Sequence, residues 1–387
     1  MFVTSQFDSG NIQVLELDSP TNIQLAINKD HQSDFYQWFH FKLHAVPFVE
    51  YKLHINNLAE SAYPQGWKDY QAVASYDRET WFRVDTSFTG EQLIIEFTPE
   101  YDSVYFAYFA PYSYERHLDL IASAQMSFDC RHELLGLTLD GRELNLLIVG
   151  DDQQVAEEDK KVRVKNKIWI TARQHPGETM AQWLIEGLLH RLLDADDGVA
   201  KSLLQNNTFY IMPNMNPDGS ARGHLRTNAV GTNLNREWQS PSLEKSPEVF
   251  HVLNKMQETG VDIYLDVHGD EALSYNFVAG AEGNPNYSEH IKMLEDTFKQ
   301  SLMAITPEFQ DTFGYDKDEP GKANLTVACN AVGNKFKCMA YTLEMPFKDN
   351  ANLPDPSFGW SIPRCQRLGE DVLVALRAVA QKLQANE

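Results

Sequence analysis

The sequence predicts an α/β protein in two parts: an N-terminal antiparallel β-sandwich over residues 1–113 and an α/β domain with a mixed central sheet over residues 114–387. Three observations lead there. Short runs with a two-residue hydrophobic period fill the first third, the pattern of half-buried strands. Beyond about residue 114, apolar strand-like runs alternate with helical stretches, as in a parallel or mixed sheet covered by helices. A chain of 387 residues also exceeds the usual size of one domain.

In the first part, Phe39, Phe41, Leu43 and Ala45 alternate with Trp38, His40, Lys42 and His44. Tyr51, Leu53 and Ile55 repeat that period, and Leu93–Phe97 and Val104–Phe109 are rich in the aromatic and β-branched residues that favour strands. The segment Pro111–Tyr114 marks the expected end of this sandwich. In the second part, Asp140-Gly141 inside Leu137–Leu144 signals a hairpin turn. A charged loop is expected over 151–167. Strands are expected at Ile168–Ala172, Phe209–Met212, Ile263–Val267 and Met339–Leu343, with helices near 178–193, 246–258 and 287–303. Leu368, Val372, Leu376, Val379 and Leu383 give a last helix one apolar face.

Composition narrows the function. The formal charge is −22, from 33 basic and 55 acidic residues, which argues against a general nucleic-acid binder. Cys130, Cys329, Cys338 and Cys365 form no CxxC pair, so neither a cysteine metal cluster nor a disulfide scaffold is expected. The first twenty residues lack the basic and apolar regions of a secretory leader, and no apolar run approaches membrane-spanning length. A soluble cytoplasmic chain is the expectation; oligomeric state is left open.

The strongest local signal is Arg173-Gln174-His175-Pro176-Gly177-Glu178, where a buried strand gives way to a helix. His175 and Glu178 stand three apart around a Pro-Gly turn that can aim an imidazole and a carboxylate at one point. His268 falls just past the strand 263–267. Ligand chemistry collects at the carboxyl ends of such strands. Two histidines and one carboxylate with an open fourth position form the ligand set of a catalytic zinc.

These residues resemble the zinc carboxypeptidase family, in which His-x-x-Glu supplies two ligands and a distant strand-end His the third. Further motifs match in order: Pro213–Gly219, Arg226, Gly231–Trp238 and Tyr341–Phe347. The resemblance implies one zinc ion on His175, Glu178 and His268. It implies that Arg226 polarises the scissile carbonyl, that Asn235 and Arg236 grip the substrate's terminal carboxylate, and that Glu344 is the catalytic glutamate. Residues 114–387 would then be the catalytic domain. The strand-rich first part looks like the cytosolic carboxypeptidase branch, whose members trim C-terminal residues from peptides or proteins. Taken singly, each residue has a plainer reading: surface charges for the arginines, a solvated strand end for Glu344, a helix cap for Asn235.

Two departures stand out. Asn233 occupies the place where the branch usually has Asp, an acceptor that orients a ligating histidine. The digestive members carry a mobile tyrosine shortly before the catalytic glutamate. Here no tyrosine lies between Asp316 and Ala340, leaving Tyr315 as the candidate. Arg222, His224, Lys322, Lys335 and Lys337 flank the motifs and could form a basic pocket for an acidic tail. An amidohydrolase acting on N-acyl amino acids uses the same ligand pattern and is the alternative activity.

Overall fold

The structure, a computed structural model, describes residues 1–150 and 165–384. Most of the charged loop expected over 151–167 therefore lies outside the described residues. The N-terminal strands are β1 (Phe2–Thr4), β2 (Gln13–Ser19), β3 (Asn22–Ala26), β4 (His40–His44), β5 (Tyr51–Ile55), β6 (Val73–Ser75), β7 (Phe82–Arg83), β8 (Thr86–Phe88), β9 (Leu93–Phe97) and β10 (Ser103–Ala107). They make two five-stranded sheets, ordered β1-β4-β10-β6-β7 and β2-β3-β5-β9-β8. Their pairings are antiparallel except β3 with β5. Phe41, Leu43 and Phe106 of one sheet and Leu25, Leu53 and Ile95 of the other are fully buried. Phe97 meets Phe106 across the gap at 5.7 Å between ring centroids.

The two-residue period is visible in β4, with one deviation. His40, on the face expected to be open, is also buried. It packs edge-on against Phe7 and Trp81, and its Nδ1 lies 3.0 Å from the Ser9 hydroxyl. The cover is local: on the same face Lys42 is half-buried and His44 exposed.

The second part contains α1 (Tyr114–Ala124), β11 (Cys130–Leu137), β12 (Glu143–Val149), β13 (Asn166–Ala172), α2 (Met180–Leu192), α3 (Gly198–Leu204), β14 (Asn207–Met212), α4 (Pro217–Arg222), α5 (Pro247–Thr259), β15 (Ile263–Asp270), β16 (Phe277–Ala279), α6 (Glu289–Ile305), α7 (Ala328–Phe336), β17 (Met339–Pro346) and α8 (Ile362–Gln384). Its seven strands run β11-β12-β14-β13-β15-β17-β16. β14, β13, β15 and β17 are parallel, and antiparallel strands flank them on both sides. Alternation along the parallel strands splits the core. Ile168, Ile170, Leu265 and Leu343 pack with residues of α2, α6 and α8, while Trp169, Tyr264 and Ala340 pack with residues of α5 and α7. Among the described residues no helix is long and apolar enough to cross a membrane.

The hairpin at Asp140-Gly141 forms between β11 and β12, with Gly141 at φ +82°, the left-handed conformation that glycine adopts without strain. The helix expected from Glu178 begins at Met180, because residues 173–179 instead form the turn that carries the site. The sequence reading did not foresee α1, α3, α4, α7 and β16. α1 is set by a cap, the Ser113 hydroxyl accepting the Arg116 N–H at 3.1 Å, rather than by a long periodic pattern.

Candidate active site

The site lies at the carboxyl ends of β13, β15 and β17. Past β13 the chain turns through Arg173, a buried arginine at φ +57°. Its guanidinium donates to the carbonyl oxygens of Pro176 (2.9 Å) and Tyr112 (2.8 Å) and to the Gln182 side chain. Those contacts offset the backbone strain and hold the turn that presents His175 and Glu178.

His268 continues β15, directly opposite Glu344 in the parallel register with β17. Glu178 bridges the two imidazoles, with Oε1 at 2.7 Å from His175 Nδ1 and Oε2 at 2.7 Å from His268 Nδ1. The two Nδ1 atoms are 3.2 Å apart. One ligand atom from each residue lies within 4.8 Å of the others, and all three residues are buried. The outer ring nitrogens are held separately. His175 Nε2 lies 3.1 Å from Asn233 Oδ1, and His268 Nε2 lies 2.8 Å from Asp266 Oδ2. With both Nε2–H groups donating outward, both Nδ1 lone pairs face inward beside a carboxylate. Two lone pairs and an anion facing one point suit a divalent cation such as zinc. Asn233 thus acts as the neutral acceptor anticipated at that position. Asp266 was missed, although its two-residue spacing from His268 on one strand face was a readable signal.

Electrostatics agree with a cation seat. Burial pushes His175 down to about 4, assisted by Arg226 nearby. Burial alone would lower His268 too, but Asp266 and Glu178 outweigh it and raise it well above the ordinary imidazole value. Burial would raise Glu178, yet the two imidazoles hold its carboxyl far below the usual range. Glu344 is pushed up to about 8, mainly by burial and then by the negative charges of Glu178 and Asp270, against the opposing pull of His268. Its Oε1 accepts from the Tyr315 hydroxyl at 3.1 Å, while the buried Oε2 has no partner among the described residues. The same hydroxyl, with one proton to share, lies 2.8 Å from Asp270 Oδ2.

Arg226, Asn235 and Arg236 line the same cavity of about 740 Å³ as the three metal-binding candidates and Glu344. Among the described residues neither arginine forms an ion pair. Arg236 is lowered first by burial and then by Arg226, so two positive charges act on one another at the wall of this cavity. Of the two readings of Asn235 the structure places the cap: its Oδ1 accepts the Ala328 N–H at 2.8 Å at the first turn of α7, which leaves its amide N–H₂ as a donor. The N-terminal part supports Arg226 directly. Its guanidinium lies over the rings of Phe35 (5.6 Å) and Tyr63 (5.4 Å). Asp30 accepts the backbone N–H groups of Leu225 (2.7 Å), Arg226 (2.8 Å) and Thr227 (2.9 Å). Nothing in the sequence pointed to Asp30 or Tyr63.

The suggested basic flank does not form. Arg222 pairs with Asp140 at 2.7 Å, and His224 is buried with its Nδ1 2.9 Å from the Thr227 carbonyl oxygen. Neither they nor Lys322, Lys335 and Lys337 line the cavity.

Comparison with known proteins matches this architecture. Residues 3–109 fit the cytosolic carboxypeptidase N-terminal domain, and residues 114–364 fit the zinc carboxypeptidase model. The crystal structure of a metallo-carboxypeptidase from Burkholderia cenocepacia is 44% identical, with a TM-score of 0.95 over 99% of both chains. A metallo-carboxypeptidase from Pseudomonas aeruginosa, solved with (2-guanidinoethylmercapto)succinic acid, is 45% identical, with a TM-score of 0.94 over 99% of this chain and 100% of that one. Mouse cytosolic carboxypeptidase 1 is 29% identical over 71% of this chain, which spans only 26% of that longer protein. The chain therefore belongs to the zinc carboxypeptidase family of hydrolases and carries the N-terminal domain of the cytosolic carboxypeptidases.

Proposed function

We propose that the protein removes C-terminal amino acids from peptides or proteins, using one zinc ion held by His175, Glu178 and His268. A zinc ion supplies Lewis acidity and brings a bound water's pKa toward neutrality. Glu344, through its unpaired Oε2, takes the proton from the attacking water and returns it to the leaving amine. Tyr315 orients that carboxylate through its hydrogen bond to Oε1. Arg226 donates to the carbonyl oxygen as negative charge develops on it. Arg236 holds the substrate's terminal carboxylate through its planar fork, with the Asn235 amide assisting. Because that seat accepts only a chain end, the last peptide bond is the one placed for attack.

The observation that carries this reading is a single cavity combining three convergent metal donors with a glutamate oxygen and two arginines that, among the described residues, have no hydrogen-bond partner and no ion pair respectively. The ligand of the Pseudomonas relative supports it, since a succinic acid carries the carboxylates that such an anion seat would take. A cytoplasmic setting fits the four free, buried cysteines. The test is Glu344→Gln. It should retain zinc by metal analysis and lose at least a thousandfold in hydrolysis of a blocked peptide; unchanged turnover would refute the mechanism. Running N-acyl amino acids beside C-terminal peptides separates carboxypeptidase from deacylase activity.

A further inference from the structure

One carboxylate of the cavity has no part in the chemistry described above. Glu271, just past the end of β15, lines the cavity and is only 6% exposed. Among the described residues it accepts no hydrogen bond from another residue and forms no ion pair. Burial, then the nearby Glu178, raises its carboxyl well above the ordinary range, with Arg226 opposing. A buried carboxylate without a donor or a paired counter-charge is costly. It is stabilised by any ligand that brings both.

The N-terminal part builds the wall beside it. Tyr63 and Gln65 line the same cavity. Gly66 lies so close to Glu271 that a Cβ there would stand 3.0 Å from both its Cβ and its carbonyl oxygen. Gln37, fully buried, fixes this loop by accepting the Tyr63 N–H at 2.8 Å and donating to the Tyr63 carbonyl oxygen at 3.2 Å. Tyr63 is thereby held with its ring over Arg226, and its hydroxyl has no hydrogen-bond partner among the described residues. The Glu271 charge acts on both Tyr63 and Arg226. A carboxylate and a hydroxyl, both without partners, thus face the cavity in the neighbourhood of one arginine.

We propose that Glu271 and the Tyr63 hydroxyl seat the free α-ammonium group of a dipeptide, so that the preferred substrates are dipeptides with an unblocked N-terminus rather than the ends of long chains. The proposal rests on the carboxypeptidase reading of the metal site. Position supports it. In that reading Arg226 marks the scissile carbonyl, and in a dipeptide the α-nitrogen stands one carbon away, about 2.5 Å from the carbonyl carbon. The charges that act most on Glu271 are those of Glu178 and Arg226, the metal donor and the arginine assigned to that same carbonyl. An ammonium there donates to both oxygen groups and gives Glu271 its missing counter-charge. Acylation of that nitrogen, as in a longer or a blocked peptide, removes the charge and two of its three N–H donors. Glu271 is then left buried and unpaired, which discriminates against such substrates.

The test uses zinc-loaded protein and three compounds with one terminal residue: alanyl-leucine, N-acetyl-alanyl-leucine and N-acetyl-lysyl-leucine. The expected kcat/KM for the free dipeptide is about tenfold or more above that for its acetylated form. In Glu271→Gln that ratio should fall to about twofold or less, and in Tyr63→Phe it should fall about threefold. A free amine can also reach the metal itself, so an undiminished ratio in Glu271→Gln overturns the seat. N-acetyl-lysyl-leucine turned over as well as the free dipeptide would identify a side-chain ammonium as the occupant and likewise overturn the proposal. Calorimetric binding of the same compounds to zinc-loaded Glu344→Gln protein reads the seat without turnover. Binding of the free dipeptide about fivefold tighter than its acetylated form supports the proposal even where the wild type shows no hydrolysis, a result that would count against the hydrolytic mechanism alone. Equal binding of the two forms, or tighter binding of the acetylated one, overturns it.

Discussion

Asp30 offers the sharpest perturbation, because a residue of the N-terminal part holds the loop that presents Arg226. Its carboxylate is 2% exposed and accepts four hydrogen bonds, three from backbone N–H groups of 225–227 and one from the Thr227 hydroxyl at 3.0 Å. A hydrogen bond to a charged group contributes roughly 1.5–3 kcal/mol net, so four independent ones would sum to about 6–12 kcal/mol. They are not independent: all four donors sit on one short loop that can rehydrate together. Single substitutions rarely exceed about 4–5 kcal/mol, so Asp30→Ala should cost about 3–5 kcal/mol of unfolding free energy. Asp30→Asn, which keeps one good acceptor and turns N–H₂ toward a donor, should cost about 2 kcal/mol on the same hydrogen-bond scale. The activity effect is separable. Loss of one oxyanion donor costs roughly 2.7–4 kcal/mol in the transition state. A loosened Arg226 forfeits part of that, so kcat/KM should fall about tenfold to a hundredfold. The assay is urea unfolding together with kcat/KM on a blocked peptide, for wild type, Asp30→Asn, Arg226→Ala and the double variant. If Asp30 acts through Arg226, its substitution costs under about threefold once Arg226 is gone. An equal loss in both backgrounds, or a kcat/KM within twofold of wild type, would refute the argument.

Two further outcomes follow from the site and the core. Zinc loading should release about two protons at pH 7, one from His268, raised well above its ordinary value, and most of one from Glu344, pushed up to about 8. Zinc affinity then rises with pH, because the metal competes with protons bound only in the free protein. Calorimetry in two buffers of different ionisation heat counts them, and a count of zero would refute the assignment. In the core, a Cβ at Gly187 would lie 2.2 Å from the Gln366 carbonyl oxygen, and one at Gly369 would lie 2.1 Å from that of Leu184. These glycines let α2 and α8 touch backbone to backbone. Gly369→Ala, which would stabilise an isolated helix by about 1 kcal/mol, should instead destabilise the protein by about 3 kcal/mol through overpacking. That lowers Tm by about 6–12 °C in a domain of this size; a raised Tm would show that the helices can part without cost.

Much of this molecule was legible in one dimension. The turn holding His175 and Glu178 is local, hydrophobic period plus a strand-end position picked out His268 before any coordinates, and Glu344 came from the resemblance to the zinc carboxypeptidases. Strands β13, β14, β15 and β17 were readable because a buried parallel strand is a short apolar run bounded by polar turns. Helices α1, α4 and α7 were not, because caps and tertiary packing, rather than a long apolar stripe, stabilise them. The sequence alone also misled about charge, since lysines and arginines that flank a motif need not face it: Arg222 turns to Asp140, while Lys299 and Lys317 reach the cavity from distant segments. Only the tertiary structure decided which acceptors orient the two histidines, that Asp30 grips a loop 195 positions away, and that Glu282, Glu295 and Tyr341 surround one glycine. The physical reason is range. Periodicity and turn chemistry act over a few residues, whereas hydrogen bonds and fields across a cavity depend on how whole sheets and helices pack.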